Sequence, residues 1–337
     1  MGTGRDGRER LNMPFVGIPS FLRAAICRDL DKLDADVAFM GAPTDEGSPF
    51  MPGSRFGPRS IREHSLRFGA GGRGYYDPES RRMFLAHEMA HGRLADVGDA
   101  DILPTNVVDT FRNITELTGG VLARGAMPVV LGGDHAISFP VVRAFREPLH
   151  VVHFDAHLDY APFIHGLEFT NAHAFRHITR MPHVHSLTQV GIRSLRNTRE
   201  MMEDSVADGN QVVTMDEFLD TSWRGFVERL PKDARVYVSL DIDVLDLPLV
   251  PGCVSAEPNG MSYKMLRDTL FALAEHTEIV GFDLVEVNPQ LDVGTGITSY
   301  LAAHTIVEFL GRICDQPRWV AGRDARAARR EAAARQE

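Results

Sequence analysis

The sequence of 337 residues has few cysteines and lacks any long hydrophobic run. Its three cysteines, Cys27, Cys253 and Cys314, are odd in number and widely spaced, and no CxxC pair occurs, which is typical of a reduced compartment without disulfides. No stretch of about 18 apolar residues is present, and residues 1–7 lack the apolar core of a secretory signal. We therefore predict a cytoplasmic protein that does not span a membrane.

Basic residues are fewer than acidic residues. The chain has 36 lysines and arginines against 46 aspartates and glutamates, so its formal net charge is −10. Proteins that bind nucleic acid usually present a cationic surface to the phosphate backbone, so this balance argues against nucleic acid as the main partner. The acidic balance suits a small cationic substrate.

The composition is that of an ordinary globular protein, with 44% hydrophobic and 24% charged residues. Strand-like apolar runs alternate with helix-like segments between residues 36 and 313, which predicts a mostly parallel sheet covered by helices on both faces. We divide the chain into a flexible arm at residues 1–15, a single domain at residues 16–320 and a charged tail at residues 321–337.

The segment from Val151 to Tyr160 concentrates side chains that can hold a metal. Its apolar run ends in Asp155, His157 and Asp159, which alternate at a spacing of two. In an extended chain, residues at this spacing point to the same side. The segment therefore predicts part of a metal site, although polar residues that simply face water at a strand end give the same pattern.

Two other predicted strands end in similar residues, and the carboxyl ends of parallel strands are where open α/β sheets bind ligands. Oxygen and imidazole ligands without a thiolate favour Mn²⁺ and allow Ni²⁺ or Co²⁺. Because six ligands exceed the needs of one catalytic ion, we predict two divalent ions about 3.5–4 Å apart that share carboxylates and acidify a water. The predicted ligands are His135, Asp155, His157, Asp159, Asp241 and Asp243.

Four segments carry these residues and Glu286: Gly132-Gly133-Asp134-His135, Asp155-Ala156-His157-Leu158-Asp159, Ser239-Leu240-Asp241-Ile242-Asp243 and Val285-Glu286-Val287-Asn288-Pro289. They resemble the signatures of the ureohydrolases, the arginase and agmatinase family, and most closely its agmatinase-like branch. The resemblance implies a three-layer α/β/α arginase-like fold and two divalent metal ions. It also implies hydrolysis of a guanidino compound to urea and an amine by a homo-oligomer, a trimer or a hexamer.

The resemblance also implies a role for each residue. The first ion would be held by His135, Asp155, Asp159 and Asp241, and the second by Asp155, His157, Asp241 and Asp243. Asp159 would take a proton from the activated water and pass it to the leaving amine. Glu286 would bind the substrate guanidinium, because a carboxylate can orient this planar cation through paired hydrogen bonds.

The loop after the second motif departs from the family pattern. Asn171 stands where the family usually has a catalytic or substrate-binding histidine, and His173, two residues later, either replaces it or is structural. His165 is a further candidate for contact with the substrate. Residues 247–256 also carry bulkier side chains than the usual glycines. These departures favour, as an alternative substrate, a small or alkylated guanidine or a biguanide of the metformin type, with Ni²⁺ as the possible metal.

Two alternatives belong to other functional classes. A non-catalytic subunit that supports an active paralogue would keep the fold, although the retained ligands and Glu286 argue against it. The segment His87-Glu88-Met89-Ala90-His91 matches the HExxH pattern of zinc proteases. That pattern requires a helix and a third ligand, and Gly92 follows it at once.

Overall fold

The computed structural model describes residues 18–69 and 73–334, and the side chains up to residue 328. The predicted flexible arm therefore lies outside the described residues. The strands are β1 Ala25–Ile26, β2 Val37–Ala42, β3 Tyr75–Asp77, β4 Arg82–Phe84, β5 Leu94–Asp99, β6 Met127–Gly132, β7 Leu149–Phe154, β8 Val184–Ile192, β9 Gln211–Thr214, β10 Arg235–Asp241 and β11 Glu278–Val285.

Eleven α-helices connect these strands within the described part of the chain. They are α1 Gly57–Ser65, α2 Ala86–Ala90, α3 Val107–Ala123, α4 Ser138–Val142, α5 Ala174–Thr179, α6 Arg199–Ala207, α7 Met215–Thr221, α8 Arg224–Val227, α9 Tyr263–His276, α10 Ile297–Cys314 and α11 Pro317–Ala334. In the described segments, no helix is both long and apolar enough to cross a membrane.

Nine of the strands form one sheet in the order β1-β5-β2-β6-β11-β10-β7-β8-β9. Every pairing in this sheet is parallel, whereas β3 and β4 form a separate antiparallel hairpin. The predicted α/β class with a mostly parallel sheet is confirmed. Parallel strands are typically buried on both faces, and the central strands β2, β6 and β10 here are buried over almost their whole length.

The sheet separates two apolar cores, which explains the three layers. Along β10, Val236 and Val238 belong to one core while Tyr237 belongs to the other. Helices α9 and α10 cover the first face, and α3 and α4 cover the second. Fully burying a large aliphatic or aromatic side chain stabilises a fold by about 1.5–3 kcal/mol, so this alternation fixes the register of each strand.

The first four residues of the HExxH-like segment lie on α2, which is only five residues long, and the last, His91, caps its C-terminal end. Its two histidine rings, His87 and His91, stack on each other with centroids 4.2 Å apart. The carboxylate of Glu88 is buried and accepts hydrogen bonds from Trp319 Nε1 at 3.1 Å and Arg323 Nη2 at 2.9 Å. Glu88 thus anchors helix α11, and the geometry gives the protease alternative no support.

Candidate metal centre

The carboxyl ends of four neighbouring strands, β6, β11, β10 and β7, meet at one edge of the sheet. Each of these strands is followed within five residues by predicted site residues. Parallel strands carry their carboxyl ends on one side, so the topology brings residues far apart in sequence to one place. The structure brings together all six predicted ligands and Glu286: His135 follows β6, Glu286 follows β11, Asp241 and Asp243 end and follow β10, and Asp155, His157 and Asp159 follow β7.

The segment after β7 does not continue as an extended strand, so the geometry predicted for it was wrong. β7 ends at Phe154, and Asp155 Oδ1 accepts a hydrogen bond from the backbone N–H of His157 at 2.5 Å. Such a local side-chain bond competes with strand pairing and bends the chain. Asp159 then adopts a left-handed backbone conformation with φ of 46°. The three side chains converge through this bend and not through alternation along a strand.

The turn after β6 sets the position of His135. Gly133 is required there, because a Cβ atom at this residue would lie 2.3 Å from the carbonyl oxygen of Thr44. Asp134 caps the following 3-10 turn by accepting a hydrogen bond from the backbone N–H of Ala136 at 3.2 Å, and it also accepts one from Gly47 N–H at 3.0 Å. These contacts hold the backbone so that the His135 side chain points along the sheet edge.

One half of the centre surrounds Nδ1 of His135. This buried atom has no hydrogen-bond partner, yet carboxylate oxygens of Asp155, Asp159 and Asp241 lie 2.9, 3.0 and 3.3 Å from it. Two ligand atoms that each bind an ion at about 2.1 Å and at right angles are separated by roughly 3.0 Å. The spacing therefore fits four atoms around one divalent cation.

The other half surrounds Nδ1 of His157, which lies 3.1 Å from Asp155 Oδ1 and 3.1 Å from Asp243 Oδ2. Asp155 thus contributes one oxygen to each half. Asp243 is oriented by the backbone N–H of Ala156, which donates to its Oδ1 at 2.9 Å, and by Ser255, whose hydroxyl donates to Oδ2 at 3.0 Å. The arrangement fits two ions bridged by a carboxylate.

Burial and crowding of the carboxylates perturb the protonation of the centre. Burial, reinforced by the charges of Asp243 and Asp155, raises the pKa of Asp241 well above its ordinary value. Burial and the neighbouring Asp155 raise the pKa of Asp159 to about 6. The carboxylates in turn outweigh burial at the imidazole and raise the pKa of His157 to about 12. A buried cluster of carboxylates with this much negative charge must be neutralised by protons or cations, and divalent ions neutralise it best.

A hydrogen-bond relay fixes the tautomer of His135. Ser239 donates its only hydroxyl proton to Asp283 at 2.8 Å, so the same oxygen accepts from His135 Nε2 at 3.0 Å. His135 Nε2 therefore carries a proton, which leaves Nδ1 as the atom that would bind an ion. The three carboxylates outweigh burial and hold the pKa of His135 well above its ordinary value, so an ion bound at Nδ1 would displace a proton. Asp283 is buried and is held on its other oxygen by Tyr237 at 2.6 Å. Partners of this kind orient a metal-ligating histidine and raise its basicity.

A second relay orients Asp155 and was not predicted from the sequence. Gln189 Nε2 lies 2.6 Å from the Leu158 carbonyl oxygen, which can only accept, so this atom is the amide nitrogen. Its second proton faces His153 Nδ1 at 3.2 Å, and His153 Nε2 therefore donates to Asp155 Oδ2 at 2.8 Å. Burial lowers the pKa of His153 to about 4, which is consistent with a neutral ring. The sequence signal that could have identified His153 is its position two residues before Asp155.

We expect the Gln189→Met substitution to lower metal affinity by about 10–100-fold, because it removes the donor that holds His153 in the tautomer facing Asp155. Affinity is to be measured by competition with a chromophoric chelator, and melting temperature is to be recorded in parallel. The same substitution at Gln211, on the neighbouring strand β9, is the matched control. Unchanged affinity in a folded Gln189→Met protein would show that the relay does not position Asp155.

Glu286 lies beside the centre in a left-handed backbone conformation with φ of 63°. Its Oε1 accepts from the backbone N–H of His135 at 3.0 Å and from Asn171 Nδ2 at 3.4 Å. Its Oε2 is buried and has no partner. Burial raises the pKa of Glu286 to about 7. An unpartnered carboxylate oxygen in this position is available to a cationic ligand.

The other two candidates on the loop after β7, His173 and His165, have different surroundings from Asn171. The ring nitrogens of His173 face Thr170 Oγ1 at 2.7 Å and the Pro162 carbonyl oxygen at 3.3 Å. His173 is buried and stacks on Phe163. His165 is exposed, with φ of 55°. Of the three polar residues proposed to read the substrate, Asn171 is the one that contacts Glu286.

The chain is similar to known proteins over most of its length. The family model described as "Arginase family" matches residues 35–311. A guanidinobutyrase of Pseudomonas aeruginosa is 31% identical, with 88% of this chain and 92% of the relative aligned. A mitochondrial agmatinase of Gallus gallus is 33% identical, with 88% and 85% aligned. The solved structure of proclavaminate amidino hydrolase from Streptomyces clavuligerus superposes with a TM-score of 0.79 at 30% identity, covering 89% of this chain and 98% of that one.

Proposed function

The chain belongs to the arginase family, and from this premise we propose that it hydrolyses a guanidino compound to urea and an amine. The family match confirms the resemblance noted in the sequence. Members of the family are metal-dependent hydrolases that act on carbon–nitrogen bonds and use a dinuclear metal site. The observation that carries the proposal is the buried, unpartnered Oε2 of Glu286 beside the carboxylate cluster. A guanidinium ion is planar and permanently charged, and such an oxygen can bind it.

We assign the ligands of the two ions as the six side chains of the centre, with Asp155 and Asp241 shared between them. When bound, the ions supply the Lewis acidity that makes water nucleophilic near neutral pH. Their identity is part of the proposal: the oxygen and imidazole ligands favour Mn²⁺ and allow Ni²⁺.

The protein side chains then perform two further tasks. Glu286 binds and orients the guanidinium, with Asn171 holding its Oε1. Asp159 accepts a proton on its carboxylate and delivers it to the departing amine nitrogen. His173 is assigned a structural role, since both its ring nitrogens have other partners.

A compact substrate is the second candidate, and the loop after β10 favours it. Leu247 and Leu249, which follow the proposed ligand Asp243, are exposed apolar side chains. The family resemblance implies that this loop reads the substrate tail, and these side chains offer neither a charge nor a hydrogen bond to a tail such as that of agmatine. A small or alkylated guanidine, or a biguanide, needs no such recognition.

The proposed assembly is a homo-oligomer, a trimer or hexamer, as the resemblance implies.

The test is a urea-release screen on metal-free protein reconstituted with Mn²⁺ or Ni²⁺. The substrates are agmatine, guanidinobutyrate, guanidine, methylated guanidines and biguanides. We expect one compound to exceed the others in kcat/KM by at least about 10-fold, because the loops that read the tail contribute roughly 1–3 kcal/mol of discrimination. If protein with two bound ions per chain released no urea from any of them, the non-catalytic subunit would replace the proposed function.

A further inference from the structure

The metal centre contains a sulfur atom that the sequence pattern did not place there. Cys253 lies ten residues beyond Asp243, on the loop after β10. Its Sγ and carboxylate oxygens of Asp241 and Asp243 all lie within 4.8 Å of one another, and all three residues are buried. The sequence had predicted a centre built only from oxygen and nitrogen ligands.

The contacts of Cys253 leave its sulfur lone pairs free. Ser255 donates its hydroxyl proton to Asp243 Oδ2 at 3.0 Å, so in the 3.6 Å contact between Cys253 Sγ and Ser255 Oγ the thiol is the donor. The backbone N–H of Cys253 donates to the Val250 carbonyl oxygen at 3.0 Å and fixes the loop. The loop therefore holds the sulfur at the carboxylate pair and not against an apolar core alone.

A second observation points to a cation at the same place. Asp243, one of the two carboxylates near the sulfur, lies 3.1 Å from Nδ1 of His157, the imidazole assigned to the same ion. Asp241, the other carboxylate, lies 3.3 Å from the buried and unpartnered Nδ1 of His135. The two oxygen ligands and the sulfur thus belong to the same cluster that already fits divalent ions. A thiolate binds such ions at about 2.3 Å and carboxylate oxygens bind at about 2.1 Å, so ligand atoms of one ion lie up to roughly 4.4 Å apart. This limit is slightly shorter than the 4.8 Å that bounds the distances within the group, so binding an ion would draw the three side chains together.

We propose that the thiol of Cys253 is an additional ligand of the ion held by Asp241 and Asp243, and that it biases the centre toward Ni²⁺ and Co²⁺ over Mn²⁺. When the ion binds, the thiol proton leaves to solvent and the sulfur donates an electron pair to the metal. Sulfur ligands favour borderline ions, whereas Mn²⁺ prefers oxygen. The inference rests on the dinuclear site of the proposed function and is independent of which guanidino compound is the substrate.

Cobalt substitution tests the proposal by absorption spectroscopy, because ligation of Co²⁺ by a thiolate gives an intense near-ultraviolet charge-transfer band. We expect this band in the wild-type protein loaded with Co²⁺ and its loss in Cys253→Ser. The matched controls are Cys27→Ser and Cys314→Ser, which remove the other two cysteines and are expected to retain the band. Protein that binds two Co²⁺ ions per chain without the band, or a band that persists in Cys253→Ser, would overturn the proposal.

Two further measurements keep the test decisive if Cys253→Ser folds poorly. X-ray absorption at the nickel edge of the wild-type protein is expected to show a sulfur neighbour at about 2.3 Å, and its absence would overturn the proposal. In competition titrations, Cys253→Ser is expected to lower the preference for Ni²⁺ over Mn²⁺ by about 10-fold or more. Failure of the chain to bind any metal would instead refute the dinuclear site itself, so the two failures are distinguishable.

Discussion

Asp241→Asn is expected to lower kcat/KM for urea release by about 10³-fold or more, because losing a shared ligand forfeits several kcal/mol of metal-supplied charge stabilisation. Asp241 Oδ2 faces His135 Nδ1 at 3.3 Å, and its Oδ1 accepts from the backbone N–H of Asp243 at 2.8 Å. Asparagine keeps the shape and can still accept that hydrogen bond, but it carries no charge. Bound metal, measured by elemental analysis, is expected to fall below two ions per chain.

The stability of the metal-free protein should change in the opposite direction. Burial and the nearby carboxylates raise the pKa of Asp241, so its ionised form is unfavourable in the folded state without metal. A neutral asparagine removes this repulsion, and the metal-free variant is expected to melt at or above the wild-type temperature. Loss of activity with retained stability separates a ligand from a residue that merely supports the fold.

Asp246→Asn is the matched control for this substitution. Asp246 lies on the same loop, and its Oδ1 accepts from the backbone N–H of Gly260 at 2.9 Å, a bond that asparagine can also accept. We expect wild-type metal content and urea release from Asp246→Asn. Full activity in Asp241→Asn would contradict the assignment of the metal ligands.

The clustering of the candidate ligands could be predicted, because the local sequence places each of them at the end of a strand. Strand β7 and the ends of β6 and β10 appear as apolar runs that stop at charged residues, and parallel topology then brings those ends together. The boundaries were less predictable. The sequence from Arg235 to Leu245 by itself predicts one long strand. β10 instead ends at Asp241, because the Asp241 side chain accepts the Asp243 N–H and starts a 3-10 turn.

The surrounding contacts could not be predicted, since they depend on tertiary proximity. Gln189 is one of several polar residues of its strand, and only the pairing of β8 with β7 places its amide beside His153. Cys253 has no spacing motif that relates it to Asp243, and the loop geometry alone brings its sulfur close. Similarly, counting residues could not decide between Asn171 and His173, whereas the turn containing both directs only the asparagine toward Glu286.

Glu286 is the residue whose replacement most sharply separates substrate binding from metal binding. It is buried, it lies outside the proposed ligand set, and its Oε1 receives the backbone N–H of His135 at 3.0 Å. Glutamine can preserve this bond and the shape of the side chain, so the variant changes little except the charge. The residue adopts a left-handed backbone conformation, a strained arrangement that a folded protein retains at functional sites.

We expect Glu286→Gln to lower kcat/KM by about 10²-fold or more while both metal ions stay bound, because a buried charge pair with the guanidinium is worth roughly 2–5 kcal/mol. Glu278→Gln, at the opposite end of β11, is the control and is expected to be silent. Burial raises the pKa of Glu286 to about 7, so above that pH its charge opposes folding of the metal-free protein. Glu286→Gln is therefore expected to melt no lower than wild type at about pH 8 by calorimetry. Unchanged kinetics would mean that another group recognises the guanidinium. Loss of bound metal would mean that Glu286 belongs to the metal centre.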